Sequence, residues 1–402
     1  MAANTAIEDR VIQLGAGLSA IPERLLLAHA RGEVLFICGA GISQPAGLPG
    51  FRQLVLDVYA RLDASTHSIL TGLPPGACNH WLANCAGLTN QQSAEVRRFI
   101  QGDYDVVLGM LERRLDDQTR GDSQVRRTVA KILRSGAASP APIHKALIAL
   151  ADRGGTQTIA TTNFDLLLQV AAQRLRSPIE TYSLGSIPRP SRSSEFSGVL
   201  HIHGVLDKNP GRTSELVLSD QDFGEFYLRR RVVPDFIYDA ARLYHLVLVG
   251  YSANDPPMRY LLNAVAADGN RFEDLKERFT FFGTTSPDAV ALADWNGRGI
   301  TPIQYDSTNG HNALRVNLEQ WAAFSAINGK KETVDAELRR IVKLSRSAAK
   351  DSDRDLFDHF FRRSNASERV RLSALVSDAK AEIGWLDAVV KVCAEADRGR
   401  KP

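Results

Sequence analysis

One short stretch constrains the fold more than any other. The apolar run Val34-Leu35-Phe36-Ile37-Cys38 stops abruptly on Gly39-Ala40-Gly41-Ile42-Ser43. Five consecutive apolar residues suit a strand covered on both faces, which is the situation of a parallel sheet. Further strand-like runs follow at 158–161, 181–183, 199–203, 216–218, 246–249, 279–282 and 303–305, with helical segments between several of them. Strands alternating with helices predict an α/β fold: a Rossmann-like, mostly parallel sheet with helices on both faces.

Between these strands the texture changes twice. From 57 to 153 strand-like runs disappear, and the spacing predicts helices over 106–115, 125–133 and 143–150, so this stretch reads as a helical insertion. After about 315 the chain again reads as helices, with 17 basic and 13 acidic side chains from Lys330 onward. The expected organisation is a catalytic domain over 1–320 and a C-terminal helical module over 321–402, suited to oligomer or partner contacts. Residues 1–31 read as helix up to Arg31-Gly32. The polar run Asp351 to Asp355 reads as a hinge, and 186–198, rich in Ser, Pro and Arg, as a mobile loop.

Charge and cysteine usage narrow the function classes. With 49 basic and 46 acidic side chains the net charge is +3, which does not fit a dedicated nucleic-acid binder. Arg229-Arg230-Arg231 fits a solvated helix face, although contact with nucleic acid stays open. No apolar run approaches the roughly 20 residues of a membrane span, and Met1-Ala2-Ala3-Asn4 shows no basic lead-in followed by an apolar stretch, so a cytoplasmic protein without a signal peptide is expected. The four cysteines, Cys38, Cys78, Cys85 and Cys393, form no Cys-x-x-Cys pair. Neither a disulfide framework nor a zinc ribbon is expected.

Four strand ends carry polar residues of chemical interest. Glycines after the run at 34–38 let a backbone approach a phosphate, and free N–H groups there can hold a pyrophosphate. A tight turn would use the same residues. The near-copy Gly15-Ala16-Gly17-Leu18-Ser19 lacks a preceding strand and carries little weight. Next come Thr162-Asn163-Phe164-Asp165. Asn163 can hold a water or a ribose hydroxyl, whereas an Asn-x-Asp helix cap explains the pair without any ligand. The third is His201-Ile202-His203-Gly204. Strand alternation puts both histidines on one face, and the following glycine favours His203 as a general base. The fourth is Gly250-Tyr251-Ser252-Ala253-Asn254-Asp255, equally readable as a strand–helix turn with an Asp cap.

Taken in order with Gly47-Leu48-Pro49-Gly50-Phe51-Arg52, these motifs resemble the sirtuin family over about residues 30–310. The resemblance implies NAD as substrate. It places Gly39, Ala40, Gly41, Ser43, Phe51, Arg52 and Thr162 at the cofactor, with Gly250, Ser252 and Asp255 near its adenosine side. It makes Asn163, Asp165 and His203 the catalytic group. Deacylases of the family carry four zinc-binding cysteines after the His motif. This chain has none between Cys85 and Cys393, so it is more similar to a zinc-free bacterial branch that hydrolyses NAD in antiviral defence. That branch implies abortive infection, a homo-oligomer, and a partner such as a HerA-type ATPase or a short Argonaute. An NAD-dependent protein deacylase, or a nuclease or scaffold subunit of a DNA-processing complex, are the alternative readings.

Overall fold

The structure is a computed structural model of the chain. It describes residues 10–73, 85–116, 123–136, 139–173, 179–190, 196–207, 215–251 and 275–398. The described chain enters through a hairpin, β1 (Val11–Gln13) and β2 (Ala20–Pro22), before α1 (Glu23–Ala30). Among the described residues, the helix expected over 1–31 is confined to 23–30; residues 1–9 of that expectation lie outside the described residues. Ile12 pairs with Ile21 across the hairpin, and Gly17, at φ 74°, supplies the left-handed residue of the connection. The glycines of the near-copy motif make a turn.

β3 (Val34–Cys38) follows, and then two short 3₁₀ turns, Ala40–Ile42 and Gln44–Ala46. The insertion is helical as expected: α2 (Phe51–Leu62), α3 (Ala64–Thr71), α4 (Asn90–Gln101), α5 (Tyr104–Asp116) and α6 (Gln124–Gly136). α7 (Pro142–Ala151) leads back to the sheet. There β4 (Thr158–Thr161), α8 (Leu167–Gln173), β5 (Glu180–Tyr182) and β6 (Gly198–His201) come in turn. A short α9 (Asp220–Phe223) runs into a π-helical stretch, Gly224–Arg229, and then α10 (Val232–Leu243). β7 (His245–Val249), β8 (Arg278–Thr284), α11 (Ala289–Gly297), β9 (Thr301–Asp306) and α12 (Thr308–Ala323) complete the α/β part.

Seven strands form one parallel sheet in the order β5-β6-β4-β3-β7-β8-β9. Strand order reverses direction at β3, which has β4 on one side and β7 on the other. Crevices at such a switch point receive ligands in doubly wound sheets. Alternation explains the apolar runs. Val34, Phe36 and Cys38 enter one core cluster, while Leu35 and Ile37 enter the other. Both faces are covered, so neither can be polar. A third cluster, with Val55, Phe99, Val107 and Val129, holds the insertion together.

Two expected features take another form. Residues 216–218 are not a strand. Leu216, Val217 and Leu218 are buried because they thread between the sheet and the insertion. Asp351 and Asp353 are not a hinge but the first turn of α14 (Asp351–Arg363), which follows α13 (Lys331–Ile341). Carboxylates are favourable at a helix N-terminus. α15 (Ala366–Asp378) and α16 (Ile383–Arg398) follow. Phe357, Phe360 and Trp385 join the cluster that contains Phe36, and buried Glu23 of α1 accepts from Arg362 at 2.8 Å. The boundary expected at 320 falls inside α12. Among the described residues, no helix is long and apolar enough to cross a membrane.

Candidate functional site

The register of the sheet brings the motifs together. Cys38 pairs with Thr161 and with Val249, and Thr161 pairs with His201. Four strands thus end in one row, and the loops that leave them share one edge. A cavity of about 900 Å³ opens along that edge, a size usual for small-molecule sites. Its wall includes Asn163, Asp165 and His203 on one side of β3, Gly250 beside it, and Gly283 and Tyr305 beyond.

The loop after β3 is built against the loop after β7. Gly41 N–H donates to the carbonyl of Gly250 at 2.8 Å, and Gly39 N–H to that of Val249 at 2.9 Å. A Cβ on Gly41 would lie 2.9 Å from the Gly250 Cα, and one on Gly39 would lie 2.6 Å from the Gly250 oxygen. These glycines are therefore required by loop-on-loop packing as well as by any ligand. The N–H groups of Ile42 and Ser43 close the 3₁₀ turn. Four of the donors expected for a pyrophosphate are thus spent inside the protein. Ala40, Gly41 and Ser43 line the cavity, and Gly39 lies beneath them against Tyr251.

Asn163, Ser43 and Asp165 form one hydrogen-bonded set. Asn163 donates through Nδ2 to the Gly39 carbonyl at 3.1 Å and to Ser43 Oγ at 3.0 Å. Ser43 donates to Asp165 Oδ2 at 2.8 Å. Asp165 Oδ1 accepts from Leu167 N–H at 3.0 Å, so Asp165 caps α8 and anchors Ser43 at once. Since a carbonyl can only accept, Nδ2 must face Gly39, and both amide protons are used. The carbonyl Oδ1 is the atom that Asn163 keeps for the cavity.

Two histidines support this set. His144, fully buried on α7, accepts from Ala141 N–H through Nδ1 at 3.1 Å. The same Nδ1 lies 3.3 Å from the Ala141 carbonyl, and Nε2 lies 3.5 Å from Ser43 Oγ. Burial lowers its pKa, against the pull of the Asp165 charge. His144 is not among the residues expected from sequence. The available signal was a lone histidine on an otherwise apolar helix face. His201 donates through Nδ1 to the Asn163 carbonyl at 2.7 Å, and its Nε2 accepts from Gln169 Nε2 at 2.7 Å. It is a buried structural residue. β6 ends at His201, so alternation no longer governs His203, which turns to the cavity wall instead. Burial pushes its pKa down to about 3, keeping the ring neutral at ordinary pH.

The remaining expected residues are placed as follows. Phe51 and Arg52, at the start of α2, line the cavity from the insertion side, with the Arg52 guanidinium 5.2 Å from the Phe99 ring centre. Thr162 lines it too, and its N–H donates to the Cys38 carbonyl at 2.9 Å. Ser252 and Asp255 lie outside the described residues. Sequence reasoning did not anticipate the far end. There Tyr305 Oη lies 2.9 Å from His311 Nδ1. His311 has a left-handed backbone (φ 62°) after two other left-handed residues. Such strain gathers at functional positions. Among the described residues, no group of three or more His, Cys, Asp or Glu is placed to hold a metal ion.

Comparison with known proteins bears on this geometry. Residues 157–303 match the SIR2-like domain. The SIR2-like segment runs from β4 to β9 and contains Asn163, Asp165, His203 and Gly250; the glycine loop at 39–43 lies before it. The "Uncharacterized protein y4cA" of Sinorhizobium fredii is 31% identical over 364 residues, covering 85% of this chain and 28% of that protein. The chain thus spans little more than a quarter of that relative's length. A solved structure described as "Structural Basis for the Mechanism and Regulation of Sir2 Enzymes" covers 74% of this chain and 95% of its own. Its identity is 16% and its TM-score 0.37.

Proposed function

We propose that this chain hydrolyses NAD at the bond between nicotinamide and ribose. One observation carries the reading: Asn163 is held by Gly39 and Ser43 so that its Oδ1 is left for the cavity that His203 also lines. An amide oxygen can accept from a water and aim it. A neutral imidazole beside it can take that water's proton. The water oxygen bonds to C1′ of the ribose, the C1′–N bond breaks with its electrons going to nicotinamide, and the proton passes to His203. Nicotinamide leaves a positive charge behind as it departs, so the reaction needs positioning and exclusion of bulk water more than a strong acid.

The proposed dinucleotide runs along the carboxyl edge of the sheet. From β6 to β9 is five strand steps, about 24 Å at ~4.8 Å each. In this arrangement the nicotinamide ribose lies between Asn163 and His203, and the adenosine lies toward Gly283, Tyr305 and His311. Arg52 lines the cavity and is proposed to meet the diphosphate; Arg298, which lines it too, is paired with Asp294. The proposal extends to NAD depletion as an antiphage effector, as a homo-oligomer or with a partner such as a HerA-type ATPase or a short Argonaute. That extension rests on the resemblance in sequence, not on the site.

The test is incubation of the purified chain with NAD, with and without a candidate partner, and chromatography of the products. Nicotinamide and ADP-ribose should appear together. Asn163→Ala and His203→Ala should each slow release by about 10²–10⁴-fold while circular dichroism stays unchanged. Wild-type rates in both variants would refute the assignment.

A further inference from the structure

We infer that Asp105, a carboxylate of the helical insertion, recognises the positive charge of the oxidised nicotinamide ring and so makes the cavity select NAD over NADH. The inference rests on the proposed function, which puts the nicotinamide at the His203 end of the cavity.

Asp105 lies in the first turn of α5, is 8% exposed and lines the cavity. Asp103 and Asp220 are its charged neighbours. Asp103 pairs with Arg98 at 3.0 Å, and Asp220 with Arg113 at 3.4 Å. Arg52, on the same wall, lies over the Phe99 ring and is hydrogen-bonded to Tyr104. Among the described residues no cation pairs with Asp105, which accepts from its own N–H and from that of Val106. Burial raises its pKa, the two N–H groups oppose that rise, and the charges of Asp220 and Asp103 add to it. A buried carboxylate without a counter-charge is costly. The nearby arginines are engaged elsewhere, so a cation that enters the cavity is the partner this carboxylate can gain.

Its place along the cavity follows from the packing of α5 on α9. Gly109 is one turn after Asp105, on the same face of α5. A Cβ on Gly109 would lie 3.2 Å from the Ser219 Cβ and would press on Asp220. Ser219 caps α9, and Phe223 ends it. Phe223 meets the His203 ring edge-on, with centroids 5.4 Å apart at 87°. Val217 N–H donates to the His203 carbonyl at 2.8 Å. Val217, Phe223, His203 and Asp105 all line the cavity. Asp105 is thereby tied to the His203 end, away from Tyr305 and His311.

The nicotinamide ring is a cation in NAD and neutral in NADH. A carboxylate in a poorly solvated wall attracts the first and gains no such attraction from the second. The charge leaves the ring as the C1′–N bond breaks, so the attraction is strongest before the transition state. Asp105 therefore acts on binding and selection rather than on the bond-breaking step.

The experiment titrates the full chain carrying Asn163→Ala, which slows turnover, with NAD and with NADH at about pH 8. Both titrations are repeated after Asp105→Asn is added. That change keeps the shape and an acceptor oxygen and removes the charge. Before it, NAD should bind about tenfold or more tighter than NADH. After it, NAD should weaken to near the NADH value, while NADH binding moves by less than about twofold. NADH is the internal control for damage to the fold, including loss of a first-turn carboxylate from the helix dipole. Equal affinity for the two before the change, an unchanged preference after it, or a loss shared equally by both would overturn the inference. In turnover, Asp105→Asn alone should raise KM for NAD by about tenfold without lowering kcat. A lowered kcat with KM unchanged would contradict selection through the ring charge. A chain that shows the preference but releases no nicotinamide would count against hydrolysis and leave the selection by Asp105 intact.

Discussion

Asn163 donates through Nδ2 to Ser43 Oγ at 3.0 Å, a bond between two residues 120 positions apart in the chain. It joins the loop after β4 to the loop after β3, and Ser43 extends the set to Asp165. Ser43→Ala removes an acceptor from Asn163 and a donor from Asp165 in a place that water hardly reaches. Leaving buried groups unpaired costs about 1–3 kcal/mol. The larger effect should be on activity, because the amide is then free to rotate and Oδ1 is no longer aimed. NAD turnover should fall at least about tenfold, with only a small fall in melting temperature. Steady-state kinetics beside thermal unfolding check this, and unchanged kcat would remove Ser43 from the account.

Gly250 has φ 62°, and a Cβ there would lie 2.6 Å from Ile42 N. Both features oppose a side chain. Gly250→Ala should cost about 1–3 kcal/mol in backbone strain alone, plus displacement of the glycine loop. Gly102 is the natural control. It too is left-handed, at φ 83°, but a Cβ there meets nothing within 4 Å. Urea denaturation should show Gly250→Ala losing clearly more stability than Gly102→Ala. Equal losses would mean that the two loops do not depend on each other.

Much of this was legible in sequence, for a clear reason. A strand buried on both faces cannot hide its composition, so Val34–Cys38 and the run at 246–249 announced a parallel sheet. Their loop residues followed from that sheet. Local periodicity says less where burial comes from tertiary threading. Leu216, Val217 and Leu218 look like a strand because they are covered on both sides, yet among the described residues they pair with nothing as a strand. Ile21 looks like part of the helix face that follows it because a three-residue strand is too short to show alternation. The candidate site was legible where it sits at strand ends. His144 was not, because it reaches the site from a helix.

Buried neutral histidines give the fold a pH dependence of known sign. Burial lowers the pKa of His29 to about 4 and that of His203 to about 3. In the unfolded chain both take up protons near pH 6.5. Below that pH the unfolded state binds more protons than the folded one, so stability falls as the medium is acidified from 6.5 toward 4. Each such histidine contributes up to about 1.4 kcal/mol per pH unit. Urea midpoints should therefore drop steadily over this window, and His29→Gln should flatten the slope. A midpoint independent of pH between 6.5 and 4 would show that these rings are not held neutral.

One molecule of NAD is expected to span the carboxyl edge of the sheet. A crystal structure of the Asn163→Ala variant soaked with NAD tests this most directly. The nicotinamide ribose should lie beside His203 and the adenine beside Tyr305 and His311, with the diphosphate crossing the Ala40–Ile42 turn near Arg52. A dinucleotide lying in the reverse direction, or bound away from this cavity, would contradict it.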